Sequence, residues 1–224
     1  MKESYDNLIN IRRQVFERIA EMAYADTDLS ELEKAAFELL PGEVATYRDS
    51  IFRERAILEE RLRLTIGLDV RKPTEYYRVT DGISAVDVDR IHFIEPLVSV
   101  ISYACESCPT KAFEVTDNCR KCLAHPCTNV CPTNAVSLGK DRAIIDQKKC
   151  IKCGRCKETC PYSAIVLYER PCAAACGVNA IESDYLGRAQ INSDRCVSCG
   201  RCIIQCPFGA IADKSQIYQL IKAL

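Results

Sequence analysis

Two stretches of this chain repeat one arrangement of thiols. Cys150-Ile-Lys-Cys153-Gly-Arg-Cys156-Lys-Glu-Thr-Cys160-Pro161 and Cys196-Val-Ser-Cys199-Gly-Arg-Cys202-Ile-Ile-Gln-Cys206-Pro207 share the spacing C-x2-C-x2-C-x3-C-P and the core Cys-Gly-Arg-Cys. Three thiolates two residues apart wrap one face of a cubane iron–sulfur cluster. The fourth lies one helical turn beyond and faces away, toward a second cluster. The glycine inside each run permits a positive φ and a close backbone approach, which turns amide N–H groups toward sulfur. The proline then stops the turn.

Each run needs a partner motif. All sixteen cysteines of the 224-residue chain fall between Cys105 and Cys206. Upstream of the first run lies Cys119-Arg-Lys-Cys122-Leu-Ala-His-Pro-Cys127-Thr-Asn-Val-Cys131-Pro132, whose second gap is expanded around His125. Cross-ligation then predicts one cluster on Cys119, Cys122, Cys127 and Cys160, and its neighbour on Cys150, Cys153, Cys156 and Cys131. The partner of the second run is split. Cys172-Ala-Ala-Ala-Cys176 supplies the third and fourth cysteines of a motif, and Cys105-Glu-Ser-Cys108 supplies the missing pair. The residues after Cys176 (Gly-Val-Asn-Ala-Ile) parallel those after Cys131, Cys160 and Cys206, although Gly177 replaces the proline. A third cluster takes Cys105, Cys108, Cys172 and Cys206; a fourth takes Cys196, Cys199, Cys202 and Cys176. Four [4Fe–4S] sites use every thiol.

The spacings also admit zinc. Cys105-x2-Cys108 followed by Cys119-x2-Cys122 resembles a zinc ribbon, which leaves Cys127, Cys160, Cys172 and Cys206 needing another home. His125 reads as a loop-filling polar residue, with tuning or ligation of the neighbouring cluster as the alternative. Ile151 and Val197, with Tyr162 and Phe208, are candidates to shield clusters from water.

These motifs must be carried by short elements. Strand-like pieces at Ala143–Asp146 and Ala189–Asn192 precede the two complete runs. In addition, 45 residues separate Cys131 from Cys176 and 46 separate Cys150 from Cys196, which marks an internal repeat. The expected class is α+β, with an N-terminal helical region over 1–100 and two nested ferredoxin-like β-α-β-β-α-β dicluster units over 101–212. The first unit, 113–169, is inserted into the second, 101–112 plus 170–212, and 213–224 form a C-terminal helix or linker.

In the cysteine-free half, Leu8, Ile11, Val15, Ile19 and Met22 recur on one helical stripe. Ser30 and Glu33 have the spacing of a capping box before Leu32, Ala35, Ala36, Leu39 and Leu40, and Pro41-Gly42 ends that helix. A third helix, about Asp49 to Ile66, turns Ile51, Leu58 and Leu62 inward. Its Arg/Glu mixture reads as a solvated, salt-bridged face, with a docking face as the alternative. His92 stands alone and reads as a packed or surface histidine. At the far end, Ile217, Leu220, Ile221 and Leu224 fall on one face of a short helix.

A formal charge of −1 gives no reason to expect nucleic acid or an anionic membrane surface. That figure counts cysteines as neutral. Ligation requires thiolates, so four cubane cores of about +2 each bring the loaded protein to about −9. Lys148, Lys149, Lys152, Arg155, Lys157, Arg195 and Arg201, scattered among the ligands, offset part of this or simply sit at the surface. The start of the chain lacks a secretory signal and no apolar run is long enough to span a bilayer, so a reducing cytoplasmic setting is expected, where thiols serve metals more often than disulfides.

The ligand order resembles the four-cluster iron–sulfur subunits of molybdenum oxidoreductases and formate dehydrogenases. More closely, the chain resembles the N-terminal electron-transfer region of monomeric, clostridial-type group B [FeFe]-hydrogenases. Arg53-Glu-Arg-Ala-Ile-Leu-Glu-Glu-Arg-Leu, Cys119-Arg-Lys-Cys-Leu-Ala-His-Pro-Cys and Cys206-Pro-Phe-Gly-Ala-Ile-Ala-Asp-Lys-Ser-Gln-Ile carry the likeness. The resemblance implies an anaerobic electron-transfer function, with an external ferredoxin and a hydrogenase catalytic domain or subunit as redox partners. It further implies that the cluster on Cys196, Cys199, Cys202 and Cys176 lies closest to the catalytic domain. No cysteine follows Cys206, so the H-cluster motifs of that family are not in this sequence. The expectation is an electron-transfer part of an oxidoreductase, either a separate subunit or cut from a longer enzyme. Rival readings are a formate or carbon monoxide dehydrogenase partner, or a structural zinc and iron–sulfur module.

Overall fold

The computed structural model describes residues 2–86 and 96–224; His92 lies outside them. The chain forms two compact units, one of Met1–Ser107 with Pro171–Leu224 and the other of Cys108–Arg170.

Three helices open the first unit: α1 (Lys2–Tyr24), α2 (Leu32–Leu39) and α3 (Ile51–Thr65). The three- and four-residue spacing on α1 buries Val15, Ile19 and Met22 against Leu32, Ala35 and Ala36 of α2 and Leu58 and Leu62 of α3, with Ile11 at the margin. The capping box is not formed. Asp28 caps the turn before α2 by accepting from the Ser30 N–H at 2.9 Å, and Glu33 reaches instead to the N–H and hydroxyl of Thr80. Glu33 is thereby spent on a tertiary contact that competes with the local one.

The charges of α3 do not make the solvated face that their alternation suggests. Glu54, Glu60, Arg61 and Arg63 are buried, because α3 is enclosed on two sides. Leu58 and Leu62 face the helical core, while Ile57 and Leu64 face a second core built on cysteines and short strands. The buried charges survive there by being hydrogen-bonded. Glu54 accepts from the backbone N–H groups of Thr46, Tyr47 and Arg48 at 2.8, 2.6 and 2.7 Å. Glu60 pairs with Arg71 at 2.6 Å, and Arg63 donates to the carbonyls of Asp69, Val79 and Asp81.

Beyond the helices the chain enters β1 (Val98–Val100) and then the inserted unit. There β2 (Ala112–Val115), α4 (Pro126–Asn129), β3 (Val136–Leu138), β4 (Ala143–Ile145), α5 (Arg155–Thr159) and β5 (Ile165–Tyr168) follow in order. β2 pairs antiparallel with β5, Ala112 opposite Tyr168, and β3 pairs antiparallel with β4. Phe113, Val136, Ala143, Cys156 and Ile165 fill the space between them. Back in the first unit come α6 (Pro171–Ala174), β6 (Ile181–Ser183), β7 (Ala189–Ile191), α7 (Arg201–Gln205), β8 (Ile211–Asp213) and α8 (Ile217–Ala223). β1 pairs antiparallel with β8 and β6 with β7, so an outer and an inner strand pair recur. The apolar stripe of α8 is divided: Ile217 and Ile221 pack on the helical core beside buried Tyr218, whereas Leu220 and Leu224 are exposed. Among the described residues, no helix is long and apolar enough to cross a membrane.

Candidate metal centres

The loops that carry the thiols are built four times over. In the first C-x2-C pair of each motif the residue before the second cysteine is left-handed: Ser107, Lys121, Lys152 and Ser198, with φ of +46°, +47°, +59° and +51°. Three residues after Cys131, Cys160, Cys176 and Cys206 the chain turns left-handed again, at Asn134, Ser163, Asn179 and Gly209. A buried alanine follows in each case, Ala135, Ala164, Ala180 and Ala210. Such a reversal aims the next N–H back at sulfur. Ala135 donates to the Sγ of Cys131 at 3.2 Å, Ala180 to Cys176 at 3.2 Å and Ala210 to Cys206 at 3.3 Å.

The next thiol of each motif rides in the first turn of a short helix: Cys127 in α4, Cys156 in α5, Cys172 in α6 and Cys202 in α7. Gly154 and Gly200 cap α5 and α7 at φ +82° and +75°, and His125 takes the same left-handed position ahead of α4 at +43°. His125 thus fills a glycine's place in the backbone, and it is not among the residues lining the neighbouring cavity. The detached pair Cys105 and Cys108, and the pair Cys172 and Cys176, have the local geometry of the contiguous motifs.

The thiols gather around apolar cavities. In the inserted unit one cavity is lined by Cys119, Cys122, Cys127 and Cys160, and another by Cys131, Cys150, Cys153 and Cys156. In the first unit a cavity is lined by Cys176, Cys196, Cys199 and Cys202. Apolar side chains complete the walls, such as Val115 and Ile165, Phe113 and Val136, and Val98 and Ile191. Ile151, Tyr162 and Val197 also border these cavities, yet Ile151 and Val197 remain 62% and 65% exposed and cover them only in part.

The same groupings appear in the electrostatics. Burial pushes the Cys127 thiol up, with Cys122 and Cys160 adding to the shift. Burial likewise raises Cys156, beside Cys150 and Cys153, and Cys202, beside Cys196, Cys176 and Cys199. Cys131 goes the other way: burial opposes its thiolate, but N–H donation from Thr133, Ala135 and Val136 prevails. Thiols crowded in this way repel one another as thiolates until a cationic group joins them.

Three thiols from one motif and a fourth from its partner, lining one apolar cavity, match the ligand pattern of a cubane. A tetrahedral zinc site, with Zn–S of about 2.3 Å, draws its ligands tightly together. Cys119 and Cys122 face Cys127 and Cys160, two of the thiols that a zinc ribbon leaves over.

Cys105, Cys172 and Cys206 belong to the second core of the first unit, where Cys172 and Cys206 are buried. Cys108 is the first residue of the inserted unit, and its carbonyl accepts from Arg170 at 2.9 Å. Around Cys105 and Cys206 the helical half supplies arginines that no cysteine motif points to. Arg48 donates to the Phe208 carbonyl at 2.6 Å and pairs with Glu106 at 2.9 Å. Arg53 donates to the Tyr103 carbonyl at 2.8 Å, and Arg61 donates to the Gly209 carbonyl. By contrast Lys148, Lys149, Lys152, Arg155, Lys157, Arg195 and Arg201 are all exposed. Arg48, Arg53 and Arg61 come from α3 and its approach, far away in sequence, so no local pattern marks them; Arg170, two residues before Cys172, is a buried cation that does lie beside a motif.

Known proteins share this chemistry over part of the chain. Residues 149–210 match the family model described as a 4Fe-4S dicluster domain, and residues 118–169 match the LdpA Fe-S cluster-binding domain. The chain is 43% identical over 53 residues to a probable iron-sulfur protein of the Frd operon of Proteus vulgaris, covering 24% of this chain and 34% of that protein. It is also 43% identical over 53 residues to the electron transport protein HydN of Escherichia coli, covering 24% and 30%. With the polyferredoxin-like subunit of the aliphatic sulfonate oxidoreductase of Pyrococcus furiosus it shares 41% over 49 residues, covering 21% and 28%. The chain thus spans about a third of the length of the curated relatives it matches. Residues 118–210 are thus similar to ferredoxin-like 4Fe-4S cluster-binding sequence.

Proposed function

We propose that this chain is a polyferredoxin-type electron carrier, with two nested dicluster units holding four [4Fe–4S] clusters. The ligand sets are Cys119, Cys122, Cys127 and Cys160; Cys150, Cys153, Cys156 and Cys131; Cys105, Cys108, Cys172 and Cys206; and Cys196, Cys199, Cys202 and Cys176. The observation that carries this reading is the sharing of cavities: three of the sets each line one apolar pocket, and in each the fourth thiol comes from the partner motif. Bound clusters supply one-electron storage. The chain's own part is to fix the thiols, to aim the N–H groups of Ala135, Ala180 and Ala210 at sulfur, and to exclude water with apolar walls. The exposed thiols Cys153 and Cys199 are natural points for electrons to enter and leave.

The partner proposed is an [FeFe]-hydrogenase catalytic domain or subunit, supported by the resemblance of the three stretches quoted above. Iron, sulfide and zinc analysis tests the cofactor reading: about sixteen iron and no zinc per chain are expected, and stoichiometric zinc with half that iron rejects it. Stopped-flow transfer from the reduced chain tests the partner. Rapid oxidation by a hydrogenase catalytic domain, with none by formate or carbon monoxide dehydrogenase, is the expected pattern, and the reverse pattern rejects it. Cys199→Ser should cut that transfer while leaving the fold intact; undiminished throughput means that the route does not pass through its cluster.

A further inference from the structure

The peptide group between Gly209 and Ala210 is held at both ends. Its N–H donates to the Sγ of Cys206 at 3.3 Å, and its carbonyl accepts from the guanidinium of Arg61. Arg61 is only 5% exposed, and among the described residues no carboxylate forms an ion pair with it. Arg12 and Asp213 line the same small cavity, and Arg12 donates to the Ile211 carbonyl at 3.3 Å. Asp213 is exposed to water, so its negative charge is screened more than the buried positive one. Burial first, and Arg12 second, push Arg61 down to about 10, which leaves it a cation at neutral pH.

The molecule contains its own controls. Ala135 and Ala180 donate to Cys131 and Cys176 at 3.2 Å through the same turn. The carbonyls of Asn134 and Asn179, at the far ends of those peptide groups, take no side-chain donor among the described residues. Space is tight at Gly209. A Cβ on Gly209 would lie 2.9 Å from the Arg61 Nη2 and collide with Leu8, so glycine is what lets the guanidinium approach. A cation on a carbonyl polarises the peptide and strengthens the hydrogen bond given by its N–H. Hydrogen bonds to ligand sulfur favour the more negative, reduced cluster.

We infer that Arg61 is a positioning residue that acts through the Gly209–Ala210 peptide on Cys206 and sets the cluster on Cys105, Cys108, Cys172 and Cys206 at a higher potential than the other three. This rests on the ligand sets proposed above. The cluster then collects electrons from its neighbours.

The test is an EPR-monitored redox titration of the full, cluster-loaded chain. Cys206→Ser identifies the signal concerned, since an oxygen ligand alters it. In Arg61→Gln the reduced-to-oxidised ratio of that cluster should fall about tenfold at the wild-type midpoint, a 59 mV decrease for one electron. The other three signals should hold their midpoints. Arg61→Lys, which keeps the charge but loses the planar fork, should shift the same signal by less. No shift in either variant, or an equal shift of all four signals, overturns the inference. If Arg61→Gln loses the cluster, Arg61→Lys decides alone. Iron analysis of the wild type separates the two levels of failure: fewer than sixteen iron refutes the ligand sets, whereas full iron without a shift refutes only the role of Arg61.

Discussion

The thiol of Cys105 accepts a 3.3 Å hydrogen bond from the backbone N–H of Ala189, which lies 84 residues further along the chain. Ala189 opens β7, and its pairing with Ser183 of β6 fixes the direction in which that N–H points. Cys105 is therefore held by a strand of its own unit, although a whole compact unit intervenes in sequence.

Replacing Cys105 and Cys108 together by alanine removes half of one proposed ligand set. Iron should fall from about sixteen to about twelve per chain. The EPR signals of the remaining three clusters should persist. A drop to about eight iron would mean that these thiols serve two clusters.

Stripping the iron should affect the two units unequally. The apolar cluster of the inserted unit has five buried residues, one of them the proposed ligand Cys156, whereas the helical cluster has thirteen and no cysteine among the described residues. Metal-dependent domains of such size fold only with their metal. After chelation, amide protons in 112–168 should exchange freely while those around Ile19 and Leu62 stay protected, with most of the far-UV helical signal retained. Equal loss of protection in both units would contradict this.

His125→Gly should keep all the iron and stabilise the chain by about 1 kcal/mol, because glycine adopts the left-handed N-cap without the cost that a side chain meets there. His125→Val should do the opposite by at least as much. Thermal unfolding with iron quantitation checks both. Loss of one cluster in His125→Gly would instead make His125 a ligand.

Glu54→Gln leaves a neutral amide facing three N–H donors and should cost about 1.5–3 kcal/mol. The 46–48 loop, and with it the Arg48 contact to Phe208, should loosen. Denaturant titration followed by circular dichroism measures the cost, and a negligible change would show that water replaces the carboxylate.

What the sequence discloses is what depends on near neighbours. The stripe through Val15, Ile19 and Met22, and the short strands at Ala143 and Ala189, follow from periodicities a few residues long. The thiol loops are equally local, since one left-handed residue and one short helix orient each motif. The state of α3 is not local. Alternating Arg and Glu look alike on a solvated face and on a helix enclosed between two cores, and only the distant partners of Glu54, Glu60 and Arg63 distinguish them. Arg61 and Gly209 meet across 148 residues, so neither marks the other in sequence. Ser30 and Glu33 mislead for the same reason: Thr80 outcompetes the local cap. On α8, buried Tyr218 takes the inward place that the apolar stripe assigns to Leu220.

Because β2 and β5 pair antiparallel, the inserted unit begins and ends at one place, with Lys111 and Glu169 within 3.9 Å of each other. A segment whose two ends meet is a cassette. The stretch between Lys111 and Glu169 can be excised and replaced by a short turn, or exchanged for a similar segment, with Cys108 left in place. With the ligand sets proposed for this chain, carriers with fewer or more clusters can then be assembled from this scaffold by splicing at a single seam.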